Sequence, residues 1–240
     1  VLGHAHLDHV GAVPYIAIRY PNAEILATQF TLAVLESILR DEKIYLKNKR
    51  KVVKSNSTYI VKGKSGNYKL DFVHTTHSTL QCVFVAMHTK DGIFFYGLDF
   101  KFDNYPTLGK PPNYKKMKEL GKKGIKVLIA DALYSGRETK PGGERIARNL
   151  LEEAFSQVRD KNSALFVTTF SSHIERLNSI VDFGKRTNRK IIFLGRSLNK
   201  YVSCAISVKQ APFKNNIRLV KYRNQINSVL KEVEKNRGKY

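Results

Sequence analysis

Four side chains able to hold a metal ion fall within six positions near the start of the chain. They are His4, His6, Asp8 and His9, spaced H-x-H-x-D-H. In extended backbone, residues two apart face the same side, so His4 and His6 can grip one ion together. Val10-Gly11 signals a turn, which lets Asp8 and His9 face a second ion beside the first. Imidazole with carboxylate suits zinc or a neighbouring transition metal. An exposed polar loop that merely contains histidines is the bland alternative. Three of the chain's seven histidines sit here, and that concentration argues against it.

Two later pieces can complete a two-ion centre. One is His74-Thr75-Thr76-His77-Ser78, the other Tyr96-Gly97-Leu98-Asp99-Phe100, each where a strand is expected to end. On spacing alone, either His77 or His74 could supply the third imidazole of the first ion. Asp99 is placed to bridge both ions, with Asp8 and His9 on the second. Ions ~3.5–4 Å apart share a water that becomes nucleophilic near neutral pH, and neutralise charge building on a phosphate during in-line displacement. His88, inside an expected strand, reads as a packed or surface residue.

The elements that must carry these residues follow from apolar periodicity and turn signals. The pattern predicts helices over 11–20 and 30–40, and strands over 24–27, 58–62, 68–74, 80–88 and 93–98. The basic run 47–51 reads as an exposed loop or edge. After Gly124 the grammar becomes β-α-β-α: strands 125–130, 164–169 and 190–194, helices 143–159 and 172–187, and a further helix from about Ser197. Such alternation implies a parallel sheet covered on both faces. Residues 222–240 read as a charged amphipathic helix.

Composition narrows the function classes. A hydrophobic content of 42% in 240 residues is ordinary for a globular chain. No apolar run approaches a membrane span, and no signal peptide is visible. Cys82 and Cys204 lie in apolar runs and are expected as buried free thiols, which suits a cytoplasmic location. The net charge is +22, from 42 Lys and Arg against 20 acids. That excess attracts polyanions, and nucleic acid is the leading partner class.

The second half carries polar groups at strand ends, where parallel sheets collect ligands. These are Asp131, the cluster Ser171-Ser172-His173, and Gly195-Arg196-Ser197. Ser172 and Ser197 read as helix N-caps, and a helix N-terminus offers N–H groups to an anion. Ser171, Ser172, His173, Arg176 and Ser197 are therefore candidate phosphate contacts. Arg137 and Lys140, in the loop 135–143, are two more. Tyr134 and Phe170 could stack on bases, although such residues are more often core.

Taken together, these motifs carry a resemblance. His4-Ala5-His6-Leu7-Asp8-His9, His77-Ser78 and Asp99-Phe100-Lys101-Phe102-Asp103 are similar to the successive metal motifs of the metallo-β-lactamase fold. Gly97-Leu98-Asp99-Phe100-Lys101-Phe102-Asp103, Asp131-Ala132-Leu133-Tyr134, the segment 166–177 and Gly195-Arg196-Ser197-Leu198 resemble β-CASP ribonucleases, and among them the ribonuclease J family in its archaeal form. The resemblance implies a partial metallo-β-lactamase αββα sandwich over 1–130 and an inserted β-CASP domain of parallel βαβ type over 131–240. It implies two Zn²⁺ per complete site, with Mn²⁺ or Mg²⁺ as alternatives, and favours His77 over His74 as the third imidazole. Asp8, Asp99 and Asp131 become the catalytic carboxylates, Asp131 by orienting a leaving-group histidine. The implied activity is cleavage of single-stranded RNA from the 5′ end, with internal cutting allowed. The implied partners are RNA, no membrane, and a second copy of the chain as an allowed homodimer.

The chain departs from the family pattern in three ways. Strands that should precede the first motif, two later histidines and the final returning strands are not found in it, and no histidine follows His173. The expectation is therefore an internal piece of a longer protein. The rivals are an endonuclease like the archaeal cleavage and polyadenylation specificity factor homologue, and an inactive RNA-binding paralogue. A thioester or lactone hydrolase on the same fold has no use for the charge of +22.

Overall fold

A mixed five-stranded sheet gathers the alternating apolar runs of the first 130 residues. The computed structural model describes residues 1–63, 66–138, 142–158 and 160–240. The chain forms two units, one of Val1–Tyr105 and Gly109–Pro141, the other of Pro106–Leu108 and Gly142–Tyr240.

In the first unit the order is α1 (Leu7–Val10), α2 (Val13–Ala17), β1 (Ile25–Ala27), α3 (Gln29–Asp41), β2 (Arg50–Val52), β3 (Thr58–Gly63), β4 (Gly66–His74), β5 (Val83–Thr89), β6 (Gly92–Gly97), α4 (Tyr114–Lys122) and β7 (Ile125–Ala130). The large sheet runs β3-β4-β5-β6-β7. Its first three pairings are antiparallel and the last, β6 with β7, is parallel. Successive side chains of a strand face opposite sides, and here both sides are filled. Leu70, Phe72, Val83 and Val85 pack with Leu26 and Val53. Val73, Phe84, Ala86 and Ile93 pack with Leu98 and with Leu120 of α4. Burial on both faces explains why β4 and β5 read as nearly continuous apolar runs. In α3, Phe30, Val34, Leu35 and Ile38 are buried at helical spacing.

Several expectations are refined or corrected here. The helix expected over 11–20 is present but shorter, as α2 at Val13–Ala17, with Pro14 in its first turn where the missing N–H costs nothing, and a further short helix, α1, precedes it at Leu7–Val10. The basic stretch 47–51, expected as an exposed loop or edge, does take the edge position: Arg50–Val52 forms β2, one strand of a two-stranded sheet, and pairs in parallel with β1. Strand 125–130 does not open the second half, because β7 pairs with β6 and completes the first sheet.

The second unit holds α5 (Glu144–Ser156), α6 (Ile174–Arg186), β8 (Ile191–Leu194), α7 (Arg196–Ser207), β9 (Ile217–Val220) and α8 (Arg223–Lys235). The strands β8 and β9 pair in parallel, as the alternating pattern requires. Residues 164–169, expected as a strand, form no ladder. They line an apolar cavity of about 430 Å³ with Leu177, Ile192, Leu194, Val229 and Val233. Helix α6 starts after His173, and α7 starts after Gly195, whose φ of 113° suits only glycine. Ser172 and Ser197 are therefore not the N-caps.

Candidate metal centre

The first motif is delivered by a backbone held just before it, on two strands. Leu2 bridges to Ala27 of β1, and the Gly3 carbonyl accepts from Val83 N at 3.0 Å. Gly3 must be glycine, since a Cβ there would meet Leu98 Cδ2 at 1.8 Å and the Val83 carbonyl at 2.8 Å. That close approach sets His4 beside Asp99, which follows β6. His6 stands at the N-terminus of α1, whose first turns carry Asp8 and His9. His77 follows β4. Its neighbour Thr76 holds the Asp99 loop: Lys101 N donates to the Thr76 carbonyl at 2.8 Å, and Asp103 N donates to Thr76 Oγ1 at 3.0 Å.

Two ligand-capable groups result. The donor atoms of His4, His6, His77 and Asp99 lie within 4.8 Å of one another, and so do those of Asp8, His9 and Asp99. One atom belongs to both: Asp99 Oδ2 is 3.9 Å from His4 Nε2, 3.8 Å from His77 Nε2 and 3.3 Å from His9 Nε2. His6 Nδ1 and His77 Nε2 approach to 3.0 Å, and His9 Nε2 is 3.5 Å from Asp8 Oδ2.

These residues fit metal ions on the observations of the structure itself. His4 is fully buried, and neither of its ring nitrogens has a hydrogen-bond partner. Such orphaned groups are expensive without a ligand. Burial, then the neighbouring His9, His6 and His77, push its pKa down to about 2. The ring is therefore neutral at physiological pH and keeps a lone pair to donate. Ligands ~2.0–2.1 Å from a tetrahedral zinc are ~3.3 Å apart, and the observed separations of 3.0, 3.8 and 3.9 Å bracket that value.

The remaining candidates are placed as follows. His74 is outside both groups and its Nε2 donates to the Lys110 carbonyl at 2.9 Å. His88 Nε2 is 2.9 Å from Asp71 Oδ2. Asp131 is exposed after β7, and its Oδ1 accepts from Leu133 N at 2.9 Å, closing a turn. Arg137 lies over the Tyr134 ring at 5.0 Å. Lys140 lies outside the described residues. In the second unit Ser171 Oγ meets Ser197 Oγ at 2.6 Å. His173 and Arg176 are turned to another use. Buried Glu144, at the start of α5, takes two bonds of 2.8 Å from Arg176 and lies 3.0 Å from His173 Nε2. They tie α5 to α6, so contact with phosphate would compete with a buried carboxylate. Ser172 is also buried.

Sequence reasoning missed the supporting residues. Gly3 and Thr76 position ligands without binding anything themselves. A glycine immediately before the first histidine was the available signal, while nothing in the type of Thr76 announced its role. Ser78, whose Oγ is 3.4 Å from His6 Nε2, was visible only as a neighbour of His77.

Comparison with known proteins adds a lineage to this geometry. Residues 162–231, all within the second unit, match the model of the ribonuclease J β-CASP domain. The chain is 38% identical over 239 residues to Ribonuclease J of Pyrococcus abyssi, covering 100% of this chain and 52% of that protein. It is 35% identical over 236 residues to Ribonuclease J of Methanocaldococcus jannaschii, covering 98% and 52%. Ribonuclease J 2 of Staphylococcus aureus is 30% identical over 204 residues, covering 85% and 35%. The chain thus spans about half the length of its archaeal relatives. A crystal structure of a protein of unknown function from Enterococcus faecalis V583 superposes with a TM-score of 0.59 at 14% identity, covering 98% of this chain and 66% of that one. At that identity the likeness speaks for the fold alone.

Proposed function

We propose that the chain belongs to the ribonuclease J family of β-CASP proteins, to which it is similar over its length and, over residues 162–231, by its β-CASP domain, and that the protein is a metal-dependent ribonuclease acting on single-stranded RNA in RNA processing and decay. The observation that carries the reading is the shared oxygen, Asp99 Oδ2, which lies 3.9 Å from His4 Nε2, 3.8 Å from His77 Nε2 and 3.3 Å from His9 Nε2. We assign His4, His6, His77 and Asp99 to one ion and Asp8, His9 and Asp99 to a second. Zinc is the first choice for this donor set, with Mn²⁺ or Mg²⁺ as alternatives. Bound there, the ions would supply Lewis acidity and an activated water for phosphodiester hydrolysis.

The chain's own residues hold and orient. Neutral, buried His4 fixes the floor of the site, and Asp99 couples the His77 loop to the His9 turn. Asp131 is proposed to orient the group that protonates the leaving oxygen. Ser171 and Ser197 of the second unit are proposed phosphate contacts, with Ser172, His173 and Arg176 of the same unit supporting them, and Arg137 of the first unit is proposed separately as another. The first unit is read as part of a metallo-β-lactamase sandwich and the second as the β-CASP domain. The 5′-to-3′ direction with internal cutting, the homodimer and a cytoplasmic setting belong to the same reading. No helix among the described residues is long and apolar enough to cross a membrane.

The deciding experiment strips the full-length protein of metal and assays cleavage of an unstructured RNA before and after zinc or manganese is restored. Activity should vanish on stripping and return on restoring. Undiminished cleavage by metal-free protein would overturn the reading.

A further inference from the structure

The loop that follows Asp99 exposes two aromatic rings and yet is firmly held. Phe102 is 48% exposed and Tyr105 64% exposed. Leaving large aromatic rings in water forgoes the burial that normally stabilises a fold. A mobile loop could bury them by folding back, but this one is pinned along its length. Lys101 N and Asp103 N both donate to Thr76, and Thr76 Oγ1 donates to the Lys101 carbonyl. Asp103 Oδ1 accepts from Tyr105 N at 2.9 Å, and Tyr114 Oη donates to Asn104 Oδ1 at 2.7 Å.

Behind the exposed ring stands an aromatic cluster of tilted and edge-to-face contacts. Phe102 is 4.7 Å from Phe100 and 5.7 Å from Tyr114, centroid to centroid, and Phe100 is 5.6 Å from buried Phe84. The cluster leads from the core to the surface, and Phe102 is its outer member. Its position in the chain matters as much. Phe102 is three residues from Asp99 and is anchored through Thr76, the residue before His77. It therefore rides on the two loops that bring these ligand candidates together. Lys101 lies between the two phenylalanines, with Nζ 3.8 Å from Asp103 Oδ2, so cationic and aromatic groups interleave along the loop. Interleaving of this kind suits a strand with phosphates on one side and bases on the other.

We propose that Phe102, with Tyr105 beside it, is a stacking platform for a nucleobase of the RNA strand held at the Asp99 centre. The occupant is a base of single-stranded nucleic acid, since a base inside a duplex has both faces covered by its stacked neighbours. The platform would tolerate any sequence, because every base has a π-face. Its role is to hold the strand in register, and neither ring takes part in the bond-breaking step. The inference rests on the ribonuclease reading.

The test crosses a protein change with a substrate change in the full-length metal-loaded protein. Single-stranded RNA oligonucleotides carrying one abasic position, moved along the strand, are compared with the intact strand. Phe102→Leu, Tyr105→Leu and Phe102→Trp are compared with the unaltered protein. An abasic nucleotide at the platform position should raise KM about tenfold with kcat nearly unchanged, the effect of ~1.4 kcal/mol of stacking. Phe102→Leu should show the same loss on the intact strand and little further loss on that abasic strand, while Phe102→Trp should keep wild-type behaviour. An equal loss by Phe102→Leu on every strand, or no loss at all, overturns the platform. Metal-dependent cleavage with no coupling between ring and base refutes the platform alone. Absence of RNA cleavage by the unaltered, metal-loaded protein refutes the ribonuclease reading and the platform with it.

Discussion

Asp99 is the residue on which the two halves of the proposed metal centre depend. Its Oδ2 lies within 3.9 Å of the ring nitrogens of His4, His77 and His9, so on the proposed assignment Asp99→Ala would remove a ligand from both ions at once. Loss of a partner outside the ligand shell typically costs ~10–100-fold in affinity or activity, and the Asp99→Ala variant is expected to lose more than about 100-fold in RNA cleavage. Metal analysis of the purified variant should show a deficit in both ions. Near-normal metal content and rate would show that the carboxylate is not shared. Gly3 gives a second residue-scale prediction. In Gly3→Ala the new Cβ would lie 1.8 Å from Leu98 Cδ2, and overpacking of this kind costs ~1–3 kcal/mol. A lowered Tm together with weakened metal binding is expected, because Leu98 precedes Asp99. A variant with unchanged stability and metal content would mean that this close approach does not position the site. His4, His6, Asp8 and His9 could be picked out from spacing, because metal chemistry demands those side chains in that order. For Arg176 the sequence showed the neighbouring serines but not Glu144, 32 positions away, which accepts two bonds from it.

Between elements, the clearest tie is Asp71 of β4. Its carboxylate is almost wholly buried, accepts from Thr58 of β3 at 2.6 Å, and lies 2.9 Å from His88 of β5 and 3.3 Å from Lys116 of α4. Lys69 Nζ is 3.8 Å away. Burial alone pushes the Asp71 pKa up, but bonds from Thr58, His88 and Lys116 outweigh it, and the net shift is downward. A carboxyl whose folded pKa lies below its unfolded value of ~3.9 stabilises the fold fully above that value. The contribution is lost as pH falls through the depressed folded pKa. Stability should therefore drop below about pH 4, and Asp71→Asn should flatten that part of the profile while costing about 2 kcal/mol at pH 7. Denaturant titrations of both proteins from pH 7 to pH 2 test this, and parallel curves would count against it. This tie was invisible in the sequence, because α4 was not foreseen. Its YKKMKELGK sequence buries only Leu120, too little apolar periodicity to announce a helix. The strand β2 was legible only as a loop or an edge, and the charge of Arg50 is met locally, by the Leu46 and Asn48 carbonyls and Glu36, to which it donates. The segment 164–169 erred the other way: its apolar run promised a strand, but Phe166 stays exposed and no ladder forms. Strands such as β4 and β5 were easier to foresee, since burial on both faces leaves a continuous apolar record.

Over the whole molecule the dominant quantity is charge. An excess of 22 positive charges is costly to hold in one fold, since like charges repel. The repulsion is relieved when a polyanion binds and its counterions are released. Each phosphate neutralised on a single strand contributes about −0.7 to the slope of log affinity against log salt. A footprint of about six phosphates would thus give a slope near −4, and affinity would fall roughly a few hundredfold between 50 and 200 mM salt. Filter binding or anisotropy on the metal-loaded, full-length protein across that range measures the slope directly. A single-stranded RNA and a DNA strand of the same length should give similar slopes, because the term reads phosphates and not sugars. Differences in cleavage between the two strands would then arise at the metal centre or the bases and not from the charge. A flat plot would mean that the basic surface faces something other than nucleic acid. It would leave the histidine–aspartate centre intact as a metal site but remove the reason to place RNA there.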